Sequence, residues 1–122
     1  MKFICSSQIL SEACMNVQRA TSSKSTNLPT IEGILIKAEN DRIMLTGYDL
    51  EMGIITSVLG KVEQKGSIIL NAKILCDILR NVPDEYVTIE CDERLICKMK
   101  SGDSEFSITG FSEEEYPELP KI

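Results

Sequence analysis

The run Ser67-Ile-Ile-Leu70, Asn71-Ala-Lys-Ile-Leu-Cys-Asp-Ile-Leu-Arg-Asn81, Val82-Pro83-Asp84 decides how this chain is built. Ser67 to Leu70 reads as a short buried strand. Asn71 is placed to cap a helix, because its side-chain oxygen can accept from the free amides of the first turn. Ile74-Leu75 and Ile78-Leu79, four apart, form one apolar stripe. Lys73, Asp77 and Arg80 share the opposite, solvent-facing side. Pro83 disfavours helix at the residue before it and ends the element.

The same pattern stands 65 residues earlier. Phe3-Ile4-Cys5 falls on Ile68-Ile69-Leu70, and Ser6, another capping residue, falls on Asn71. Ile9-Leu10 falls on Ile74-Leu75, Glu12 on Asp77, and Ala13-Cys14 on Ile78-Leu79. Three strand-like runs follow each copy, so the chain reads as β-α-β-β-β written twice, the kind of internal repeat to be sought before any fold is assigned.

The first half predicts a helix over 7–20 with Gln8, Glu12, Met15 and Arg19 facing out. A small polar loop, 21–27, carries Lys24, and Leu28-Pro29 closes it. Strands follow over 30–38, 42–46 and 50–59, with a tight turn at Glu39-Asn40-Asp41 of the kind Asn and Asp favour. Residues 60–66 read as a charged connector. In the second half, 86–91, 94–100 and 104–109 alternate polar with apolar, separated by turns at Asp92-Glu93 and Ser101-Gly102-Asp103. Strands so closely spaced indicate antiparallel sheet. Helices with one apolar face each must lie on that sheet. The fold class is therefore α+β: a pseudo-two-fold pair of antiparallel four-stranded sheets with both helices side by side on one surface. Rotating one half onto the other should superpose Ile74 on Ile9 and Leu75 on Leu10.

With 122 residues the chain is one domain, large enough to bury roughly two-thirds of its unfolded surface. Five cysteines (Cys5, Cys14, Cys76, Cys91, Cys97), odd in number and with no C-x-x-C pair, read as free thiols in a reducing, cytosolic compartment. No run approaches the roughly 20 apolar residues of a membrane span. A net charge of −6 argues against tight nucleic-acid binding through a basic field. Glu113, Glu114, Glu115 and Glu118 crowd the end and read as a solvated acidic surface. The helical face is different: Arg19, Lys73 and Arg80 against Glu12 and Asp77 leave it at +1, the part least repulsive to a polyanion.

Histidine is absent, which removes the commonest general base, metal ligand and nucleophile activator. Asp49 and Glu51 could share a strand face, but a hard-cation site needs more oxygen ligands than two. No catalytic residue, metal site or cofactor is assigned. The residues by themselves indicate an intracellular binding or assembly module.

Five segments in order carry a resemblance: Met1-Lys-Phe3, Leu45-Thr-Gly-Tyr-Asp-Leu-Glu-Met52, Asn71-Ala-Lys-Ile-Leu-Cys-Asp-Ile-Leu-Arg80, Lys100-Ser-Gly-Asp-Ser-Glu-Phe106 and Glu114-Glu-Tyr-Pro-Glu-Leu-Pro120. Over essentially its whole length the chain resembles the first domain of the bacterial DNA polymerase III beta subunit, the replicative sliding clamp. The resemblance implies the DNA-clamp fold over 1–122, with 111–122 opening the linker to a second domain. It implies a homodimer ring around duplex DNA that confers processivity without catalysis. The replicative polymerase and clamp loader would dock through other domains, in the cytoplasm at the nucleoid, with no membrane involved. Lys24, Lys73 and Arg80 stand where the family places basic residues toward DNA, and Arg19 joins them from the first helical face. Phe106 matches an interface phenylalanine, with Ile74, Ile78, Ile108 and Asp103 beside it at the expected subunit joint. Two departures are local: Asn27 is inserted beside Leu28-Pro29, and Asp103 replaces a residue that is basic in many members. The rival class is an α+β protein–protein scaffold that does not contact DNA.

Overall fold

The computed structural model describes residues 1–19, 33–48 and 53–115. Each half begins with a strand that runs straight into a capped helix. β1 (Lys2–Ser6) leads into α1 (Ser7–Gln18), and β6 (Gly66–Asn71) leads into α2 (Ala72–Arg80). The Ile9 N–H donates to Ser6 Oγ at 3.3 Å and the Ile74 N–H donates to Asn71 Oδ1 at 3.0 Å. Both expected caps are therefore made at the same position of their turns. The meander strands are β2 (Gly33–Glu39), β3 (Arg42–Tyr48) and β4 (Gly53–Leu59) in the first half. β7 (Tyr86–Cys91), β8 (Ile96–Ser101) and β9 (Ser104–Thr109) are their counterparts. A short strand, β5 (Lys61–Gln64), joins the halves, and a 3-10 turn spans Glu113–Glu115.

The strands form two antiparallel sheets, in the orders β5-β1-β7-β8-β9 and β4-β3-β2-β6. Each meander takes as its fourth strand the first strand of the other half. The exchange obeys the pseudo-two-fold residue by residue: Phe3 faces Ile89 as Ile68 faces Ile36, and Cys5 faces Val87 as Leu70 faces Ile34. The halves are thus interlocked, and neither has a complete sheet by itself. α1 and α2 pack against each other, α1 also touching β1, β2, β3, β4 and β7, and α2 touching β6. The core between helices and sheets holds Phe3, Leu10, Ile36, Leu45, Leu75 and Ile89, all fully buried. At Gly47 in β3 an added Cβ would come within 2.5 Å of the Val17 carbonyl oxygen, so only glycine lets α1 lie this close.

Turn chemistry follows the sequence. Asn40 and Asp41 take φ of 53° and 56°, the paired left-handed geometry of a two-residue hairpin. Gly102 takes φ 57° between β8 and β9.

Four expectations need correction. One sheet has five strands, because 61–64 is an edge strand on β1 rather than a connector. Its Lys-Val-Glu-Gln composition hid it: only Val62 points inward, and charged side chains are how exposed edges are protected. Second, the helical stripe is wider in sequence than in burial. Leu10 and Leu75 are buried, while Ile9 and Ile74 remain 55% and 47% exposed. The equivalence of the pairs holds, but each first member faces out. Third, Cys91 and Cys97 form a disulfide across β7 and β8. Residues six apart on opposite arms of a hairpin meet in register, which the count of cysteines could not reveal. Cys5, Cys14 and Cys76 are free and buried, as read. Burial pushes the thiols of Cys5 and Cys76 up to about 12 and about 11, and that of Cys14 upward as well. Fourth, Glu113 is not simply solvated: it pairs with Lys37 and accepts from Ser67 Oγ at 3.0 Å.

Candidate nucleic-acid face and assembly edge

The solvent-facing sides of the two helices are the polar lines opposite their buried residues. On α2, spacings of four and three put Lys73, Asp77 and Arg80 on one exposed line. The same spacing on α1 exposes Gln8, Glu12 and Met15, with Arg19 exposed as the C-terminal cap. Where the helices meet, a shallow groove of about 330 Å³ is lined by Gln8, Glu12 and Met15 from one side and Leu79, Arg80 and Val82 from the other. Glu12 and Arg80 thus share one surface across the helix pair.

Arg80 and Asp77 are ion-paired three residues apart, with side chains about half exposed. Such a pair in water contributes only ~0.3–0.5 kcal/mol. Its larger effect is on the face: Asp77 occupies a guanidinium otherwise open to an incoming anion. Arg80 also lies in the last turn of α2, where the helix dipole favours a cation. The result is a face carrying basic groups of which one is internally compensated. Lys73 and Arg19 have no ion pair within 4.0 Å among the described residues. Lys24, expected on the same side, lies outside the described residues, as do Asp49 and Glu51.

Of the predicted joint residues, Phe106 and Ile108 lie on β9 and Asp103 in the turn before it, whereas Ile74 and Ile78 lie on α2. β9 is the last strand of the five-stranded sheet. Phe106 and Ile108 on it are half-buried against the core, as is Ile78 of α2, while Ile74 is exposed. Asp103 is exposed in the turn that opens β9. A terminal strand with half-covered apolar residues and an open backbone edge is a ready template for pairing with another chain. The pseudo-two-fold gives β4 the equivalent place in the other sheet, where Ile55 and Leu59 are exposed.

Sequence reading passed over the strap that closes the β6 edge. Phe111 and Ile69 exchange both backbone hydrogen bonds at 2.9 Å, and Glu113 anchors the next turn on Lys37 and Ser67. Hydrogen bonds from Lys37 hold the Glu113 carboxyl below the usual range, against a partial desolvation that raises it, with Ser67 helping to lower it. No group of three or more His, Cys, Asp or Glu that could hold a metal ion occurs among the described residues.

Two interlocked β-α-β-β-β halves and a paired-helix face of mixed charge define an α+β module of the DNA-clamp fold. The chain belongs to the family of the DNA polymerase III beta subunit, N-terminal domain, whose model matches residues 1–120. It is 33% identical over 130 residues to the beta sliding clamp of Bacillus subtilis, and 36% identical over 125 residues to that of Synechococcus elongatus. The crystal structure of the B. subtilis DNA polymerase sliding clamp superposes with a TM-score of 0.95 over the whole of this chain. That of the Caulobacter crescentus clamp, at 26% identity, superposes with 0.92 over 99% of it. The chain spans about a third of the length of these relatives, 34% and 33% for the two curated sequences.

Proposed function

We propose that this chain is the first domain of a replicative sliding clamp, a two-subunit ring that encircles duplex DNA and keeps the polymerase on its template. Residues 111–122 open the linker to a second domain in this reading. The domain is non-catalytic; polymerase and clamp loader dock on parts of the ring outside these residues, in the cytoplasm at the nucleoid. The observation that carries the proposal is the helix pair, whose shared face holds Arg19, Lys73 and Arg80 in a chain of net charge −6. A ring holds DNA by topology and needs little affinity, and a strongly basic lining would brake its sliding. Weakly positive helices on an acidic body suit that task. They suit a freely binding DNA protein poorly, because such a protein needs many phosphate contacts. Lys24 belongs to the same face in this reading.

Phe106, Ile74, Ile78, Ile108 and Asp103 form this domain's half of the subunit joint. The joint is heterologous: the β9 edge meets a different surface of the partner, so the interface needs two unlike patches. The half-buried state of Phe106 and Ile108 supports this, since a residue with an apolar body and one open side is primed for a second partner.

The test replaces Lys24, Lys73 and Arg80 with Ala in the full-length protein and measures processive synthesis beside a melting curve. Exposed positions such as Lys73 and Arg80 cost little stability when replaced. Processivity should therefore fall while the melting temperature and ring mass hold. Full processivity with an intact ring would refute the DNA-facing assignment and favour a scaffold that does not contact DNA.

A further inference from the structure

We propose that Cys91 and Cys97 form a reversible thiol–disulfide site, entered through the Cys91 sulfur, that governs how firmly the β7–β8 hairpin holds the strap closing the β6 edge. The two residues face each other in the β7–β8 ladder with Cα atoms 4.1 Å apart. The Asp92 N–H donates to the Ile96 carbonyl, so the next pair inward falls at the narrow, non-hydrogen-bonded position of an antiparallel ladder. The ladder itself brings the two sulfurs together, and no folding of a distant segment is needed.

A purely structural staple is the simpler reading, and the hairpin argues against it. Disulfide stabilisation grows with the loop it closes, and this bond spans a separation of six residues. That loop is already closed by its own chemistry: Asp92 Oδ1 accepts from the N–H groups of Arg94 and Ile96, at 2.8 and 3.1 Å. The bond therefore adds less to global folding than one closing a long loop, and what it restrains is local, the tip of the hairpin.

Access is one-sided. Cys97 is fully buried, whereas Cys91 is half-buried and lines a surface cleft of about 690 Å³ with Met1, Gln64, Glu90 and Lys98. Cys91 is the less buried of the pair, so a dithiol reductant attacks Cys91 Sγ first. Its thiolate bonds to that sulfur, the Cys91–Cys97 bond breaks, and Cys97 leaves as a thiolate and takes up a proton. The second thiol of the reductant then displaces Cys91 as a thiol and closes the reductant's own disulfide. Two electrons and two protons pass to the protein, and a disulfide oxidant reverses the sequence by the same route.

The site's neighbours give it a consequence. Leu95, at the hairpin tip with φ 66°, accepts from the Gly110 N–H at 2.7 Å. Gly110 leads directly into Phe111, which bridges to Ile69. Cys97 also faces Ile108 on β9. Opening the bond frees the end of the hairpin that holds Gly110. If β9 is the subunit joint proposed above, the redox state then also bears on the joint, but the thiol chemistry stands without that reading.

The experiment equilibrates the full-length protein with dithiothreitol at graded ratios of reduced to oxidised form. Cys91 and Cys97 are read by differential alkylation and mass spectrometry, and backbone opening by amide hydrogen exchange. The two cysteines should titrate together and re-oxidise when the ratio is reversed. Exchange over 95–111 should rise at least threefold on reduction, while exchange over 3–14 stays fixed. In native Cys97→Ser protein, Cys91 should capture glutathione; in Cys91→Ser protein, Cys97 should not. A bond that resists excess dithiol, a pair that never re-forms, or exchange over 95–111 indifferent to redox state would overturn the proposal. Each is read on the wild type alone, whatever the serine variants do, and none depends on DNA.

Discussion

Asp77→Asn isolates the charge balance of the helical face in a single atom change. Asp77 binds the Arg80 guanidinium on the same exposed helix. The substitution keeps shape and removes the charge, taking the face from +1 to +2. Loss of an exposed pair three residues apart costs ~0.3–0.5 kcal/mol, a fall in melting temperature of a degree or two at most by the usual size scaling. The effect on DNA should be larger and of different form. One guanidinium released to contact a phosphate steepens the log–log salt dependence by about 0.9 per engaged domain. Lowering salt fourfold should then strengthen the variant's binding roughly three- to fourfold more than the wild type's, by the same slope. The assay is fluorescence anisotropy of a short labelled duplex across a salt series with the full-length protein. The same substitution in an Arg80→Ala background serves as the double-mutant control. It should leave the slope alone, because no guanidinium is there to release. An unchanged slope for Asp77→Asn, or an equal change in both backgrounds, would refute the view that Asp77 restrains Arg80.

Two further outcomes separate core from face and strap from surface. Leu75→Ala should cost roughly 3–5 kcal/mol, since Leu75 is fully buried between helix and sheet, whereas Ile74→Ala should stay within about 1 kcal/mol of the parent in denaturant unfolding. Equal costs would mean the helix is turned from the orientation that buries Leu75 and exposes Ile74. For Glu113→Gln the sign follows from the lowered carboxyl pKa: the stabilisation from Glu113 is present above the unfolded carboxylate pKa and disappears as pH falls through the folded one. The melting temperatures of parent and variant should therefore differ at neutral pH and converge in acid. The gap should also narrow in high salt because the Lys37 partner is half exposed. A gap that widens in acid would contradict the ion-pair assignment.

The repeat was legible because its signals are local. A cap at Ser6 or Asn71 acts on an amide three residues away, and the turn at Asn40-Asp41 requires residues that tolerate positive φ. Strands β7 and β9 were bounded correctly from alternation alone. Partnership across the molecule was not legible. Nothing in Phe3-Ile4-Cys5 says that these residues pair with β7 rather than with their own meander, since one buried apolar strand resembles another. The edge strand β5 was missed for the opposite reason: an edge exposed to water is written in lysine and glutamate, like a loop. Burial on the helices also escaped periodicity. Ile9 and Leu10 are equally apolar, and only the position of the second helix and the sheet decides which one is covered.

The candidate site divides along the same line. The polar side of each helix could be read directly from its 3.6-residue spacing, and Lys73, Asp77, Arg80, Glu12 and Arg19 are all exposed as expected. What those residues do to one another depends on the second helix. Glu12 and Arg80 line one groove only because α1 and α2 touch, and the helices touch in a frame that the exchanged strands interlock. With β1 in the second half's sheet and β6 in the first half's, rotation of one half against the other would break the β1–β7 and β2–β6 ladders. The exchange therefore does more than close two sheets: it fixes the spacing of the basic groups on the helical face. That face can then be weakly charged and still be well defined, because its geometry is held by hydrogen bonds beneath it and not by the charges themselves.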